Sequence, residues 1–141
     1  MKAIASLSLI VLIASPSFAR VGETPDECAI RYGSSTGNLA KGQATFRRGG
    51  VTIVVHFENG KSVREDFGPE SGGMLSDDQI NSLLQESAEG SSWDKAGETS
   101  TVISYVRKDG HASAQAAKPS DQGSGRIKLT VTGAELIIKA T

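Results

Sequence analysis

Three runs in the first half of the chain alternate apolar and polar residues with the period of a half-buried strand: Gln43–Arg48, Val51–Phe57 and Lys61–Phe67. Gly49-Gly50 separates the first two and suits a two-residue hairpin turn, which sets Phe46 opposite Ile53 and Ala44 opposite Val55. The second turn, at Glu58-Asn59-Gly60, admits two lengths. A two-residue loop places Val55 against Arg64. A three-residue loop with Gly60 left-handed places Val55 against Val63 and Val51 against Phe67. A one-residue slip moves every side chain to the other face, so the apolar pattern selects the three-residue loop. One face then carries Ala44, Phe46, Val51, Ile53, Val55, Phe57, Val63 and Phe67, with Glu65 as its odd member. The other carries Thr45, Arg47, Thr52, Val54, His56, Arg64 and Asp66.

Two segments read as helices that cover the apolar face. Thr24-Pro25-Asp26-Glu27 combines an N-cap, a proline at the first helical position and a capping box, and Gly33 supplies a stop. Cys28 and Tyr32, four apart, share the face of this helix that is buried. Further on, Ser76 and Gln79 form a second box and Leu75 with Ile80 a hydrophobic staple. Ile80, Leu83, Leu84 and Ala88 keep helical spacing up to Gly90. Each large side chain of this stripe contributes roughly 1.5–3 kcal/mol when buried, before entropy is subtracted.

The rest of the chain is read the same way. Trp93 packs over the helix end, with its N–H reaching a partner or water. Thr101–Lys108 and His111–Ala117 are strands around Asp109-Gly110, with the loop length left open. Arg126–Thr132 is a strand after a polar loop at 118–125, and Glu135–Ala140 fits a last strand or a short helical turn. The expected architecture is one α+β domain: an antiparallel sheet of about five strands with two helices packed on one face.

The first nineteen residues have a different character. Lys2 precedes an apolar run from Ala3 to Ala14, Pro16 breaks it, and Ser17-Phe18-Ala19 ends it with small residues. That layout predicts a secretory signal peptide over 1–19, cleaved near Ala19, and a single domain over 20–141. The run is too short to span a bilayer core of about 30 Å. The chain is therefore expected to be periplasmic or secreted, with no stable membrane span after cleavage. The full sequence has 15 basic and 16 acidic residues; losing Lys2 leaves 14 basic residues and a net charge of −2. The basic residues form no stripe of the kind that binds nucleic acid.

The mature N-terminus, Arg20-Val21-Gly22-Glu23-Thr24, then Cys28, then Arg31-Tyr32-Gly33, resembles the opening of small exported bacterial proteins of unknown function. Those proteins tend to carry elements matched here by Asn59-Gly60, Leu83-Leu84, Trp93 and Arg107-Lys108-Asp109-Gly110. More distantly, the Thr-Pro helix ending in Tyr-Gly is similar to the first helix of small outer-membrane-assembly lipoproteins and of β-lactamase inhibitor repeats. Both are binding proteins, and the similarity implies a binding role.

Chemistry is sparse. Cys28 is the only cysteine and reads as a small buried apolar group, with a disulfide-linked dimer as the alternative to a monomer. A Cys–His nucleophile has only His56 and His111 to draw on, neither within a recognisable motif. His56 with Glu58, and Asp77 with Asp78, fall short of a metal ligand set. Gly68–Gly73 lacks the lysine of a phosphate loop. No metal or cofactor is expected. The polar sheet face remains. The register chosen above puts Arg47, Thr52 and Asp66 in one row, Val54 and Arg64 in the next, and His56 and Ser62 in the third. Arg47, His56, Arg64 and Asp66 are the candidate binding residues, for an unknown protein or a small anionic ligand. The expected function is a non-enzymatic binding module. A Cys/His-dependent hydrolase-like enzyme and a structural envelope component are the alternatives.

Overall fold

A computed structural model describes residues 20–37, 39–118 and 128–133. The expected signal peptide over 1–19, most of the polar loop and the expected last element at Glu135–Ala140 lie outside the described residues. In chain order the elements are α1 (Pro25–Tyr32), a short 3-10 turn at Leu39–Lys41, β1 (Gln43–Arg48), β2 (Val51–Glu58), β3 (Lys61–Pro69), α2 (Asp77–Glu86), β4 (Trp93–Glu98), β5 (Val102–Arg107), β6 (Ala112–Ala117) and β7 (Lys128–Gly133). The strands form one antiparallel sheet in the order β1-β2-β3-β7-β6-β5-β4.

Both helices start as their sequences dictate. The Thr24 hydroxyl accepts from Glu27 N–H while the Glu27 carboxylate accepts from Thr24 N–H, and Ser76 and Gln79 repeat the arrangement at α2. Gly33 closes α1 with a positive φ of 94°, but with ψ at −162°, outside the left-handed helical region. The second helix ends earlier than Gly90, at Glu86 with Ser87 as cap, because the Ser87 hydroxyl turns back onto the Leu84 carbonyl. Ala88 is buried beyond it.

The sheet has seven strands rather than about five. The unforeseen one is β4, whose sequence Trp-Asp-Lys-Ala-Gly-Glu offers no apolar alternation. It pairs with β5 along the sheet margin, where most of its residues are exposed and apolar periodicity has nothing to report. The turn between β5 and β6 is the four-residue Lys108–His111 loop, in which the Arg107 carbonyl accepts from Gly110 N–H.

The first hairpin has the predicted register. The second does not: Asn59-Gly60 is a two-residue turn with both φ values positive, pairing Glu58 with Lys61 and Phe57 with Ser62. A β-bulge then inserts one extra residue in β3, so that His56 faces Arg64, Val55 faces Glu65 and Ile53 faces Phe67. Turn and bulge together displace the predicted pairing by two residues. An even displacement leaves the side chains from Arg64 onward on their predicted face, whereas Ser62, ahead of the bulge, moves by one residue: it pairs with Phe57 and is buried instead of lying beside His56 on the polar face.

The covered face consists of continuous cross-strand rows. One runs Phe46-Ile53-Phe67-Leu129-Ala116-Ile103, and the next Ala44-Val55-Glu65-Val131-Ala114-Tyr105. These residues, apart from Glu65, share one apolar cluster with Cys28 and Tyr32 of α1 and with Leu75, Ile80, Leu83 and Leu84 of α2 and its staple. Ahead of α1, residues 20–23 are stitched to β3. The Ser62 hydroxyl accepts from Gly22 and Glu23 N–H and donates to the Arg20 carbonyl, and Ser62 N–H donates to the Glu23 carbonyl.

At the sheet margins, β1 is bridged by Thr36, which exchanges two backbone hydrogen bonds with Thr45 at 2.7 and 2.8 Å. On the far side β4 carries a bulge between Lys95 and Gly97 and exposes Asp94, Lys95 and Glu98.

Candidate functional site

The face of the sheet away from the helices is polar along its length: Thr45-Val54-Asp66-Thr130-Gln115-Ser104 in one row, Gln43-His56-Arg64-Thr132-Ser113-Val106 in the next. Asp66 lies at the centre, on β3 where it meets β7. Its carboxylate is surrounded by donors. Arg64 Nη2 stands 2.7 Å from Oδ2 and Arg64 Nε 3.2 Å from both oxygens; His56 Nε2 is 3.0 Å from Oδ2. Thr130 Oγ1 donates to Oδ1 at 2.7 Å, and Lys128 Nζ lies 3.4 Å from the same oxygen.

Partial burial raises the Asp66 pKa, but hydrogen bonds from Arg64, Thr130 and His56 outweigh it and hold the carboxyl well below the usual carboxylate range. Asp66 is thus a fixed anion at neutral pH. The same hydrogen bonds hold Arg64 in the charged state against its own desolvation. One carboxylate faces two permanent cations and an imidazole, and the Arg64 and Lys128 side chains remain 39% and 45% exposed. The residual charge is positive and directed at solvent. A shallow hollow of about 360 Å³ beside them is lined by Gln43, Thr52, Val54, His56 and Lys128.

Of the four residues singled out from sequence, the structure brings together His56, Arg64 and Asp66. It does not bring Arg47, which pairs with Thr52 opposite Gly68 and approaches Glu70 at 3.9 Å. The reason is the two-residue displacement in β3, which moves Asp66 from the Arg47–Thr52 row to the Thr45–Val54 row. Lys128 and Thr130 were missed. They come from β7, distant in sequence, and nothing in the local pattern of β3 tells which strand lies beside it.

A second group lies under α1, on the covered face. Glu65 is fully buried, and both its carboxylate oxygens are 3.3 Å from the Tyr32 hydroxyl. Burial is the main cause of a pKa pushed up to about 8, reinforced by the charge of Glu23 and opposed by the Tyr32 hydrogen bond. Cys28 is also fully buried, and burial with the nearby Glu65 and Glu23 pushes its thiol up to about 12. Glu23 is paired with Arg31, whose Nε donates to Oε2 at 2.9 Å. A thiol in these surroundings carries no thiolate at neutral pH, which is the form that attacks. Trp93 departs from expectation: its Nε1 is buried and has no hydrogen-bond partner among the described residues.

No helix among the described residues is long and apolar enough to cross a membrane. No family model matches the sequence, and no curated protein matches it. Among solved structures, the chain is similar to a cysteine-rich secretory protein from Staphylococcus aureus, with 13% sequence identity and a TM-score of 0.50 over 83% of this chain and 46% of that one. The chain spans about half the length of that structure, and a likeness at this identity concerns the fold alone.

Proposed function

We propose that this chain is an exported small protein of the periplasm or cell exterior. It acts without catalysis as a binding module, and the open face of its sheet around Asp66 meets carboxylate or other anionic groups on a partner. The observation that carries this reading is the Asp66 cluster itself. A carboxylate locked in its charged form orients Arg64, His56 and Lys128 while leaving the two permanent cations partly exposed. Charge-assisted hydrogen bonds from a pre-oriented guanidinium are the strong and geometrically selective kind. The covered face supports the non-catalytic half of the reading, because Cys28 is buried as a protonated thiol on the opposite side of the sheet from His56.

The test is capture in the exporting cell. A photoreactive residue at Thr132, on the open face, is expected to trap a specific partner, and one at Asp26, on the exposed side of α1, is not. Arg64→Ala combined with Lys128→Ala is expected to abolish the Thr132 product. Equal capture by the double variant overturns the assignment of the face. Recovery of the chain in the cytoplasm with residues 1–19 attached overturns export.

A further inference from the structure

Several stretches distant in sequence meet at one end of the sheet. Residues 61–63 begin β3, Gly133 ends β7, and Arg107 ends β5 ahead of the loop that carries Asp109 and His111. The strap crosses here at Val21-Gly22, bonded to Ser62, and Glu89 arrives from the exit of α2. Between them lies a cavity of about 440 Å³, a volume in the range of small-molecule sites. Val21 and Val63 give it an apolar wall. Gly133 lets the strap close against β7, since a Cβ there would stand 3.1 Å from the Val21 side chain.

The buried polar member of the wall is Arg107, whose side chain is 5% exposed. Its Nε donates to Asp109 Oδ1 at 2.9 Å, and its Nη1 donates to the Ser87 carbonyl at 3.0 Å and to Glu89 Oε2 at 2.6 Å. Burial works against the guanidinium charge, but the bonds to Asp109 and Glu89 outweigh it. These bonds use Nε and Nη1 and leave both N–H groups of Nη2 without an acceptor among the described residues. Nη2 is not sealed in: Trp93 Nε1 is the one side-chain nitrogen or oxygen among the described residues that is both fully buried and unpaired, so Nη2 opens to the cavity that Arg107 lines. Buried donors of this kind normally have partners. Lys61 Nζ and the His111 ring, on the same wall, also make no hydrogen bond or ion pair among the described residues. The acids are already engaged. Glu89 and Asp109 hold Arg107, and Arg20 Nε approaches Glu89 Oε1 at 4.0 Å. The basic side chains Arg20, Lys61 and Arg107 thus outnumber the carboxylates Glu89 and Asp109 by one.

We propose that this cavity is a binding site for a small organic carboxylate, separate from the open face of the sheet. The carboxylate accepts from Arg107 Nη2 and pairs with Lys61, and a short apolar body lies against Val21 and Val63. A single negative charge matches the single surplus basic group, whereas a phosphate dianion exceeds it and has no use for the valines. Hydrogen bonds from a guanidinium held by its own carboxylates are pre-oriented, which makes them selective for the position of the incoming oxygen.

The probe is isovalerate, with isovaleramide as its uncharged counterpart. Titration of the purified protein, followed by heteronuclear NMR, should give saturable shifts of the Arg107 guanidinium and of the Gly22 and Gly133 amides. Isovaleramide should bind at least about tenfold more weakly, because it lacks the charge that strengthens the Arg107 and Lys61 contacts. Lys61→Gln, at an exposed position, should weaken isovalerate severalfold with an unchanged circular dichroism spectrum. Arg64→Ala, on the open face, should leave its binding as it is. The absence of a saturable shift at Arg107 overturns the proposal. So does equal binding of isovaleramide, which would make the cavity merely apolar, and so does loss of isovalerate binding in Arg64→Ala, which would place the carboxylate on the open face.

Discussion

Glu65 occupies a position in the middle of an otherwise apolar row, between Val55 and Val131. Its raised pKa has a definite consequence for stability. The unfolded carboxyl ionises near its ordinary value of 4.5, whereas the folded one keeps its proton until about pH 8. The folded state thus binds the extra proton between these values, and its contribution is complete below pH 4.5 and lost as pH rises through 8. Stability should fall across this window by at most about 1.4 kcal/mol per pH unit. Glu65→Gln is expected to flatten the slope and to be the more stable protein at pH 8, as followed by urea denaturation at several pH values; an unchanged slope would assign the dependence elsewhere. Asp66 works in the opposite sense. Its lowered pKa contributes stability above its ordinary value of 3.8 that is lost as the pH falls below it. Cys28 gives a third check at this scale. With a pKa near 12 and no exposed surface, it should label with a thiol reagent orders of magnitude more slowly than the denatured chain. Rapid labelling of the native protein would contradict its burial.

Among the elements, α1 and α2 were legible because each carries its own signals within a short stretch: a cap and a capping box in both, a proline at the first position of α1, and a staple and apolar stripe in α2. The β2–β3 hairpin was legible by face and not by register. Apolar alternation reports the side on which a residue lies, which survives a displacement of two; it cannot detect a tight turn compensated by a bulge. Three of the four candidate site residues were therefore found together, and Arg47 was misplaced with the register. Lys128 and Thr130 depended on the β3–β7 pairing, which only the whole fold determines. The strap at residues 20–23 is held to β3 by two backbone hydrogen bonds with Ser62 and by the buried Ser62 hydroxyl, which engages three backbone groups. Ser62→Ala should cost about 1–3 kcal/mol, since it leaves the part-buried Glu23 N–H without its hydroxyl acceptor. Amide exchange at Gly22 and Glu23 should accelerate while α2 keeps its protection; unchanged exchange there would remove Ser62 as the anchor.

As a whole, the molecule divides its labour between two faces of one sheet. The same strands alternate core and surface residues, as β6 does with Ala112, Ala114 and Ala116 inside and Ser113 and Gln115 outside. Changes to the open face can therefore alter its surface chemistry while leaving the packing intact. A bare strand edge is a template on which a neighbour's strand can add, and here one margin is occupied by Thr36 while the other is kinked and charged. Deleting Ala96, the extra residue of the β4 bulge, should straighten that margin and produce concentration-dependent association in sedimentation velocity; a monomeric deletion variant would show that charge alone suffices. For the unaltered chain the outcome is colloidal: crowded copies can collide side by side without zipping into fibrils, so the protein can accumulate to high local density and still present each open face singly.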